Sequence, residues 1–469
     1  MKIGFITLGC DKNTVDSERC LADLVHRGAQ YTADLDEADV IVVNTCGFID
    51  AAKQESIDAL VQAGQYKTRG SCQAVVAVGC MVQRHKGELE AELPEVDLFL
   101  GASEMDRLGS ALQERGVLNA APDPVAEHPG VRLYTGDLPH VRYLKVSEGC
   151  DHGCAFCAIP LMRGKHRSFA LNAVVREAQL LETQGAREVN LVAQDLAHYG
   201  RDRRAEGARL PELLEALVAE TSIPWIRMLY LYSAGITPRL LEVMAREPRI
   251  LPYLDMPIQH ASDPVLERMR RPERAHTLRE KIARIRQMIP DVAIRTTCIV
   301  GFPGEKAEDF QRLLDFLEEM RFERVGAFTY SPQEGTRAAL LEDTVPEALK
   351  LDRLERLADL QSAISAERYE RFVGRVVPAI VDRAPAAGEP AVARVLWQAD
   401  DIDGITWLDG EAPAGALVDA AIESVVDDVN FRASLVQVRS VPATITRRDR
   451  SGARRLPVMA TIGNGSFGR

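Results

Sequence analysis

Three cysteines in Cys150-Asp151-His152-Gly153-Cys154-Ala155-Phe156-Cys157 have the type and spacing to hold a metal cluster. A CxxxCxxC loop offers three thiolates to a cluster of four irons and leaves one iron without a protein ligand. Iron–sulfur clusters are ordinarily held by four cysteines, so a three-ligand loop reserves the last position for another molecule. A zinc loop is the competing chemistry, but structural zinc takes four closed ligands in paired short spacings. No neighbouring Cys or His completes such a set, and His152 lies inside the loop.

A second trio is spread over the first eighty residues. Cys10 follows Ile6-Thr7-Leu8-Gly9, Cys46 follows Val42-Val43-Asn44-Thr45, and Cys80 follows Val76-Ala77-Val78-Gly79. Each thus stands after an apolar, strand-like run. In a parallel sheet the carboxyl ends of the strands share one edge, where three such thiols can converge in a crevice. A second cluster with an open iron fits this pattern. Three separately buried cysteines are the alternative, because free Cys is among the most buried residue types. Cys20, Cys72 and Cys298 have no comparable placement; Cys20 falls in a helical pattern and Cys298 in a strand, as core residues do.

The elements that must position these residues can be read from periodicity. Strand patterns at 2–8, 40–44, 74–78 and 96–100 alternate with helical patterns at 14–27 and 51–65, which predicts a doubly wound parallel sheet. Residues 119–130 carry three prolines and few apolar residues and read as a linker. A second alternation follows, with strands at 143–146, 189–193, 226–231, 254–258, 293–300 and 325–330 and helices such as 172–183, 274–288 and 306–320. Six β/α units suit a partial TIM-like (β/α)6 barrel, whose active groups stand at the carboxyl ends of strands; the Cys150 loop follows the first of them. From about 372 to 436 short Val- and Ile-rich stretches broken by Gly and Asp predict a small antiparallel β-barrel. The expected division is 1–118, a linker at 119–135, a core at 136–371, a C-terminal barrel at 372–438 and a flexible basic tail at 439–469.

Composition narrows the function. The chain has 469 residues, nine cysteines and a formal net charge of −12. Nine cysteines without a secretory leader argue for metal or catalytic use rather than disulfides. No run of eighteen apolar residues appears, so no membrane span is expected, and the N-terminus enters a strand directly; the expected location is cytoplasmic. The acidic balance disfavours binding of nucleic acid by bulk charge and suits a basic protein partner. Between Phe372 and Ser434 the bias sharpens to eleven acidic residues, Asp400, Asp401 and Asp403 among them, against four arginines. An acidic docking face on the C-terminal barrel is therefore expected.

With both trios in view, the chain resembles the methylthiotransferases, radical S-adenosylmethionine (SAM) enzymes that carry two 4Fe–4S clusters. The resemblance covers about residues 1–436. Gly9-Cys10-Asp11-Lys12-Asn13-Thr14-Val15-Asp16-Ser17-Glu18 is similar to the opening motif of the branch called RimO. Val192-Ala193-Gln194-Asp195, Asp255-Met256-Pro257-Ile258-Gln259-His260 and Thr297-Cys298-Ile299-Val300-Gly301-Phe302-Pro303-Gly304-Glu305 look like later motifs of the radical-SAM core. Ala399-Asp400-Asp401-Ile402-Asp403-Gly404 resembles the branch's TRAM segment.

The resemblance implies that SAM chelates the open iron of the cluster on Cys150, Cys154 and Cys157, and that an electron splits it into methionine and a 5′-deoxyadenosyl radical. It implies a second 4Fe–4S cluster on Cys10, Cys46 and Cys80 that carries the incoming sulfur. The product is a methylthio group on the β-carbon of an aspartate in ribosomal protein S-twelve. A sister branch modifies an isopentenylated adenosine in transfer RNA and is the alternative. A reduced flavodoxin or ferredoxin would supply the electron, and the sulfur donor is left open.

Phe156, Gln194, Asp195 and Gly301 are implied as SAM contacts. A carboxylate facing the ammonium of SAM is physically apt for Asp195, with a helix N-cap as its alternative. Gly301 could let the backbone approach the adenine, and a simple turn is its alternative. Arg163, Lys165, His166 and Arg167 form a basic cluster for which solvated charge is the expected state, with contact to substrate or SAM carboxylates as its alternative. The sequence departs from the family at Ser168-Phe169, where a further basic residue is usual, and after about residue 440.

Overall fold

The structure, a computed structural model, describes residues 1–118, 132–134, 136, 138–386 and 388–442. Of the expected linker, 119–131 and 135 lie outside the described residues, as does the expected tail from 443 onward.

Five strands open the chain: β1 (Lys2–Thr7), β2 (Gln30–Tyr31), β3 (Val40–Thr45), β4 (Ala74–Gly79) and β5 (Leu98–Gly101). They form one parallel sheet in the order β2-β1-β3-β4-β5. Helices α1 (Asp11–His26), α2 (Asp50–Arg69), α3 (Cys80–Glu92) and α4 (Leu108–Glu114) complete the unit. Every residue of β3 and β4 is buried, as expected of strands covered on both faces. Val40, Val42, Val76 and Val78 face α1 and α4 through Leu21, Leu24, Leu108 and Leu112. Ile41, Val43, Val75 and Ala77 face α2 and α3 through Leu60, Ala63, Met81 and Leu89. This period-two split sends the three helix-bearing strands in with one polarity, so Cys10, Cys46 and Cys80 all emerge at the carboxyl edge.

The middle of the chain holds β6 (Val141–Lys145), β7 (Ser147–Glu148), β8 (Arg167–Ser168), β9 (Glu188–Val192), β10 (Trp225–Met228), β11 (Tyr253–Asp255), β12 (Ala293–Val300) and β13 (Arg324–Thr329). Between and after them run α5 (Ile159–Arg163), α6 (Leu171–Thr183), α7 (Leu210–Glu220), α8 (Pro238–Arg246), α9 (Asp263–Arg268), α10 (Ala275–Met288), α11 (Ala307–Met320) and α12 (Glu347–Glu370). The six expected strands are β6, β9, β10, β11, β12 and β13. They pair in parallel as β6-β9-β10 and β11-β12-β13, joined by a bridge between Ile226 and Ile250. The result is an open, partial barrel. β7 and β8 form a separate antiparallel pair that brackets the Cys150 loop.

The C-terminal strands β14 (Val376–Arg383), β15 (Ala391–Val395), β16 (Thr406–Asp409), β17 (Leu417–Val426) and β18 (Asn430–Ser440) close into a barrel. It is not wholly antiparallel as expected: β16 pairs with β18 in parallel. Trp225, Tyr253 and Ala293, which begin β10, β11 and β12, share its core with Phe372, Trp397 and Phe431. The small barrel therefore seals the amino end of the large one, opposite the cysteine loop.

Polar groups reinforce that seal. Tyr143 and Asn190 donate to Asp400, at 2.7 Å each. Tyr253 donates to Asp403 at 2.5 Å, and Arg295 and Arg324 lie 3.6 and 3.5 Å from it. Arg394 joins Asp382 (2.6 Å) to Glu188 (2.7 Å), and Glu188 also receives Arg227 at 2.7 Å. The expected acidic docking face is corrected for four of its eleven acids. Asp382, Asp400, Asp403 and Asp419 are buried because three of them neutralise the core's own donors and Asp419 is taken by Arg439. No helix of the described residues is long and apolar enough to cross a membrane.

Candidate active site

At the carboxyl edge of the first sheet, the loops carrying Cys10 and Cys46 touch. Gly9 has φ +92°, and a Cβ there would lie 2.9 Å from the Cβ and 3.0 Å from the Sγ of Cys46; only glycine admits that approach. Asn13 ties the strand ends together, donating to the Leu8 carbonyl at 2.7 Å and the Thr45 carbonyl at 3.3 Å. Cys46 is held by Ser56, whose Oγ accepts from its N–H at 2.9 Å and donates to its carbonyl at 3.1 Å. Cys10 is exposed, Cys46 half-buried and Cys80 buried, so the crevice opens toward Cys10. Burial pushes the Cys80 thiol up to about 12, against the pull of Arg163.

The Cys150 loop is anchored through its backbone: Cys150 N–H donates to the Gly164 carbonyl (3.1 Å) and Ala155 N–H to the Met269 carbonyl (2.9 Å). Phe156 is half-buried against Val265, Met269, Phe302 and Tyr330. Burial raises the Cys150 thiol to about 11 and the Cys157 thiol to about 12. Directly after the loop, Ala158, which caps α5, and Met162 within it pack on Cys80. The two trios thus meet across one short helix.

Arg163 ends that helix and is corrected from the solvated state expected of it. Its side chain is only 4% exposed. Nε donates to Cys80 Sγ at 3.1 Å, Nη1 to Asp16 at 2.6 Å and Nη2 to Asn13 Oδ1 at 2.5 Å. Lys145 bonds the same Asp16, and Glu148 at 2.6 Å. His166 is buried too, on Ser168 at 3.0 Å, whereas Lys165 and Arg167 are exposed as expected. Hydropathy could not separate these four residues, because the carboxylates that draw Arg163 inward come from α1 and β7.

Gln194 donates to Glu148 at 2.8 Å, which brings it to that ion cluster. Asp195 caps a short turn through Ala197 N–H (2.9 Å), accepts from Tyr232 N–H (3.2 Å) and meets His152 Nε2 at 2.7 Å. Burial works against its charge, yet the His152 bond and the nearby His198 hold its carboxyl below the ordinary range. Gly301 has φ +72°, and a Cβ there would lie 2.3 Å from Lys350 Cγ; the lysine stem fills the space over it.

Arg271, Tyr232 and Tyr230 stand at the site without any sequence signal. Arg271, buried under Tyr232 with its guanidinium 3.9 Å from the ring centroid, points Nη1 at Cys154 Sγ (3.8 Å). Tyr232 in turn stacks on His152 at 3.8 Å. Lys12 reaches across to Tyr230, which follows β10. Cys20, Cys72 and Cys298 are buried elsewhere; the first two thiols lie on the Met105 and Ala74 carbonyls.

The donor sets fit clusters better than single ions. All nine cysteines are free. Among the described residues, the trio whose ligand atoms come within 4.8 Å of one another is His152, Asp195 and His198; neither cysteine trio draws that close. One zinc with four ligands at about 2.3 Å would bring sulfurs nearer than this, whereas a four-iron cube holds them apart.

Comparison with known proteins agrees with this geometry. Residues 144–317 match the radical SAM superfamily, and residues 2–101 match the uncharacterized protein family UPF0004. A solved radical SAM methyltransferase, TsrM from Kitasatospora setae, shares the fold with a TM-score of 0.53 at 11% identity, covering 77% of this chain and 89% of that one. Fold and site define a radical-SAM enzyme. The chain is 47% identical over 422 residues to the ribosomal protein uS12 methylthiotransferase RimO of Anaeromyxobacter sp. (strain Fw109-5), covering 89% of each. It is 42% identical to that of Geobacter sulfurreducens, over 89% of this chain and 95% of the relative. It belongs to the RimO family of radical-SAM methylthiotransferases.

Proposed function

We propose that this enzyme places a methylthio group on the β-carbon of an aspartate in ribosomal protein uS12, using two SAM molecules and two 4Fe–4S clusters. The observation that carries the reading is the meeting of two cysteine trios across α5. One site for hydrogen removal and one for sulfur delivery account for two trios a single helix apart. In this reading Cys150, Cys154 and Cys157 hold one cluster, Cys10, Cys46 and Cys80 hold the other, and the chain divides at the boundaries given above. When bound, the first cluster with SAM supplies a carbon-centred radical and the second supplies a site for sulfur.

The protein's own groups set the conditions. Thiols pushed up by burial must lose their protons on metal binding; Arg163, aimed at Cys80, favours the thiolate there, and Arg271 points at Cys154. Phe156, Gln194 and Asp195 stay assigned to SAM, with Asp195 held anionic for its ammonium, whereas at Gly301 the Lys350 stem takes the space through which the adenine would approach. A basic protein substrate suits the C-terminal barrel even with its inner acids discounted. Glu389, Asp401, Asp409, Glu411, Glu423, Asp427 and Asp428 remain at its surface against Arg375, Arg383 and Arg432, a net charge of −4 from seven acids and three bases. A small reduced flavodoxin or ferredoxin supplies electrons, in the cytoplasm.

Mass spectrometry of uS12 tests the reading. Cells lacking the enzyme should yield uS12 lighter by one methylthio group, and the gene restored should return the mass. An unchanged uS12 mass, together with loss of the modification from transfer RNA, would overturn it.

A further inference from the structure

Several cations stand close to the two trios, and most of them meet a carboxylate. Arg163 has Asp16 and Glu148, at 2.6 and 3.4 Å. Lys145 has the same two carboxylates. Arg271 has Glu273 at 3.3 Å and the Pro257 carbonyl at 2.7 Å. Lys12 differs. Its side chain is 9% exposed, yet among the described residues its ammonium meets one carboxylate, Asp11, at a long 3.4 Å. That same Asp11 oxygen already accepts the Tyr230 hydroxyl at 3.0 Å. The ammonium otherwise rests 3.1 Å above the centre of the Tyr230 ring.

A lysine has three strong donors and no acceptor, and a buried ammonium with one long contact is costly unless a further anion arrives. A ring face offsets part of that cost and fixes the direction of the side chain without using up its donors. The location matters as much as the charge. Lys12 lies two residues after Cys10, the open end of the first crevice. Tyr230 lies just past β10, at the carboxyl end of the partial barrel. Lys12 therefore reaches from the Cys10 loop to the carboxyl-end mouth of the partial barrel.

We propose that Lys12 reads the carboxylate of the aspartate that is modified. The carboxylate is one bond from the β-carbon, so an ammonium that holds it beside Cys10 also fixes the distance from that carbon to the sulfur site. The inference rests on the aspartate reading above and names the residue that selects for it. Lys12 is a specificity-determining residue: its charge-assisted bond rewards a carboxylate and leaves an amide or a nucleobase without compensation.

The test compares uS12 with uS12 in which the target aspartate is Asn, binding each to the full-length, cluster-reconstituted enzyme. Wild type should prefer the aspartate form by about tenfold or more. Lys12→Met, a neutral chain of similar length, should bring the ratio close to one with iron content unchanged. Lys12→Arg should restore much of the preference. A Lys12→Met protein that still discriminates overturns the assignment, as does one that loses iron or weakens both substrates equally. If wild type binds neither form, the substrate reading itself fails, which is a separate result.

Discussion

Replacing Arg163 by Leu probes the joint between the two cysteine sites. The guanidinium is 4% exposed, and its partners Asp16 and Glu148 are 10% and 17% exposed, so solvent screens these pairs little. Removing one member of a buried ion pair costs about 3–5 kcal/mol. Lys145 remains to serve both carboxylates, which places the expected loss near the lower bound, about 3 kcal/mol. The bonds to Cys80 and Asn13 vanish as well. Hydrogen exchange of amides in α5 and the first turn of α1 reads this locally. Protection there should fall by roughly a hundredfold at pH 7, at about 1.4 kcal/mol per factor of ten.

The sign with pH is also fixed. Burial opposes the Asp16 charge, but Lys145 and Arg163 outweigh it and hold the carboxyl below its ordinary value. A depressed acid contributes stability in full above the unfolded value, about 3.9, and loses it as pH falls toward the folded one. The gap between wild type and variant should therefore narrow on acidification. Protection within twofold of wild type at pH 7, or a gap that widens in acid, refutes the argument.

Three further outcomes are expected. Changing Cys150, Cys154 and Cys157 together to Ala should leave about four irons per chain after anaerobic reconstitution and abolish SAM cleavage; changing Cys10, Cys46 and Cys80 should also leave about four, and a full complement of about eight in either triple variant would contradict the ligand assignment. Gly9→Ala, with a methyl forced against Cys46 at a φ of +92°, should lose the N-terminal cluster's share of iron and unfold at a lower temperature, and iron intact in that variant would show that the crevice adapts. Asp400, raised to about 6 by burial against the pull of Arg394, binds a proton in the fold that the unfolded chain has released. Stability should therefore drop as pH rises from about 4 to 6, and Asp400→Asn should flatten that slope in thermal unfolding; an unchanged slope assigns it to another group.

Strand polarity made Cys10, Cys46 and Cys80 legible in the sequence, because three apolar runs ending in Cys can converge only if the sheet is parallel. The six core strands were legible for the same reason: each is a short apolar run between helical periods. What escaped were contacts made across domains. Nothing near Arg163 in the sequence distinguishes it from the exposed Lys165, since its partners lie at Asp16 and Glu148. The acids of the C-terminal barrel misled in the opposite sense, because a charge count is blind to Arg295 and Arg324 waiting 75 or more residues upstream. The parallel β16–β18 pair was equally invisible, being fixed by barrel closure rather than by local pattern.

The inner ion pairs of the C-terminal barrel bear on how the chain is made. Synthesis delivers the N-terminal residues first, at about 5–20 per second. Arg295, Arg324 and Glu188 leave the exit tunnel well before Asp403 and Arg394, their partners in the finished fold. Until the last strands emerge, the amino end of the partial barrel exposes Trp225 and Tyr253 beside charges lacking part of their compensation. A chain cut short near residue 371 would keep both cysteine sites and the helix between them, yet stay open at its base. Completing translation and closing the floor of the active-site barrel are thus the same event.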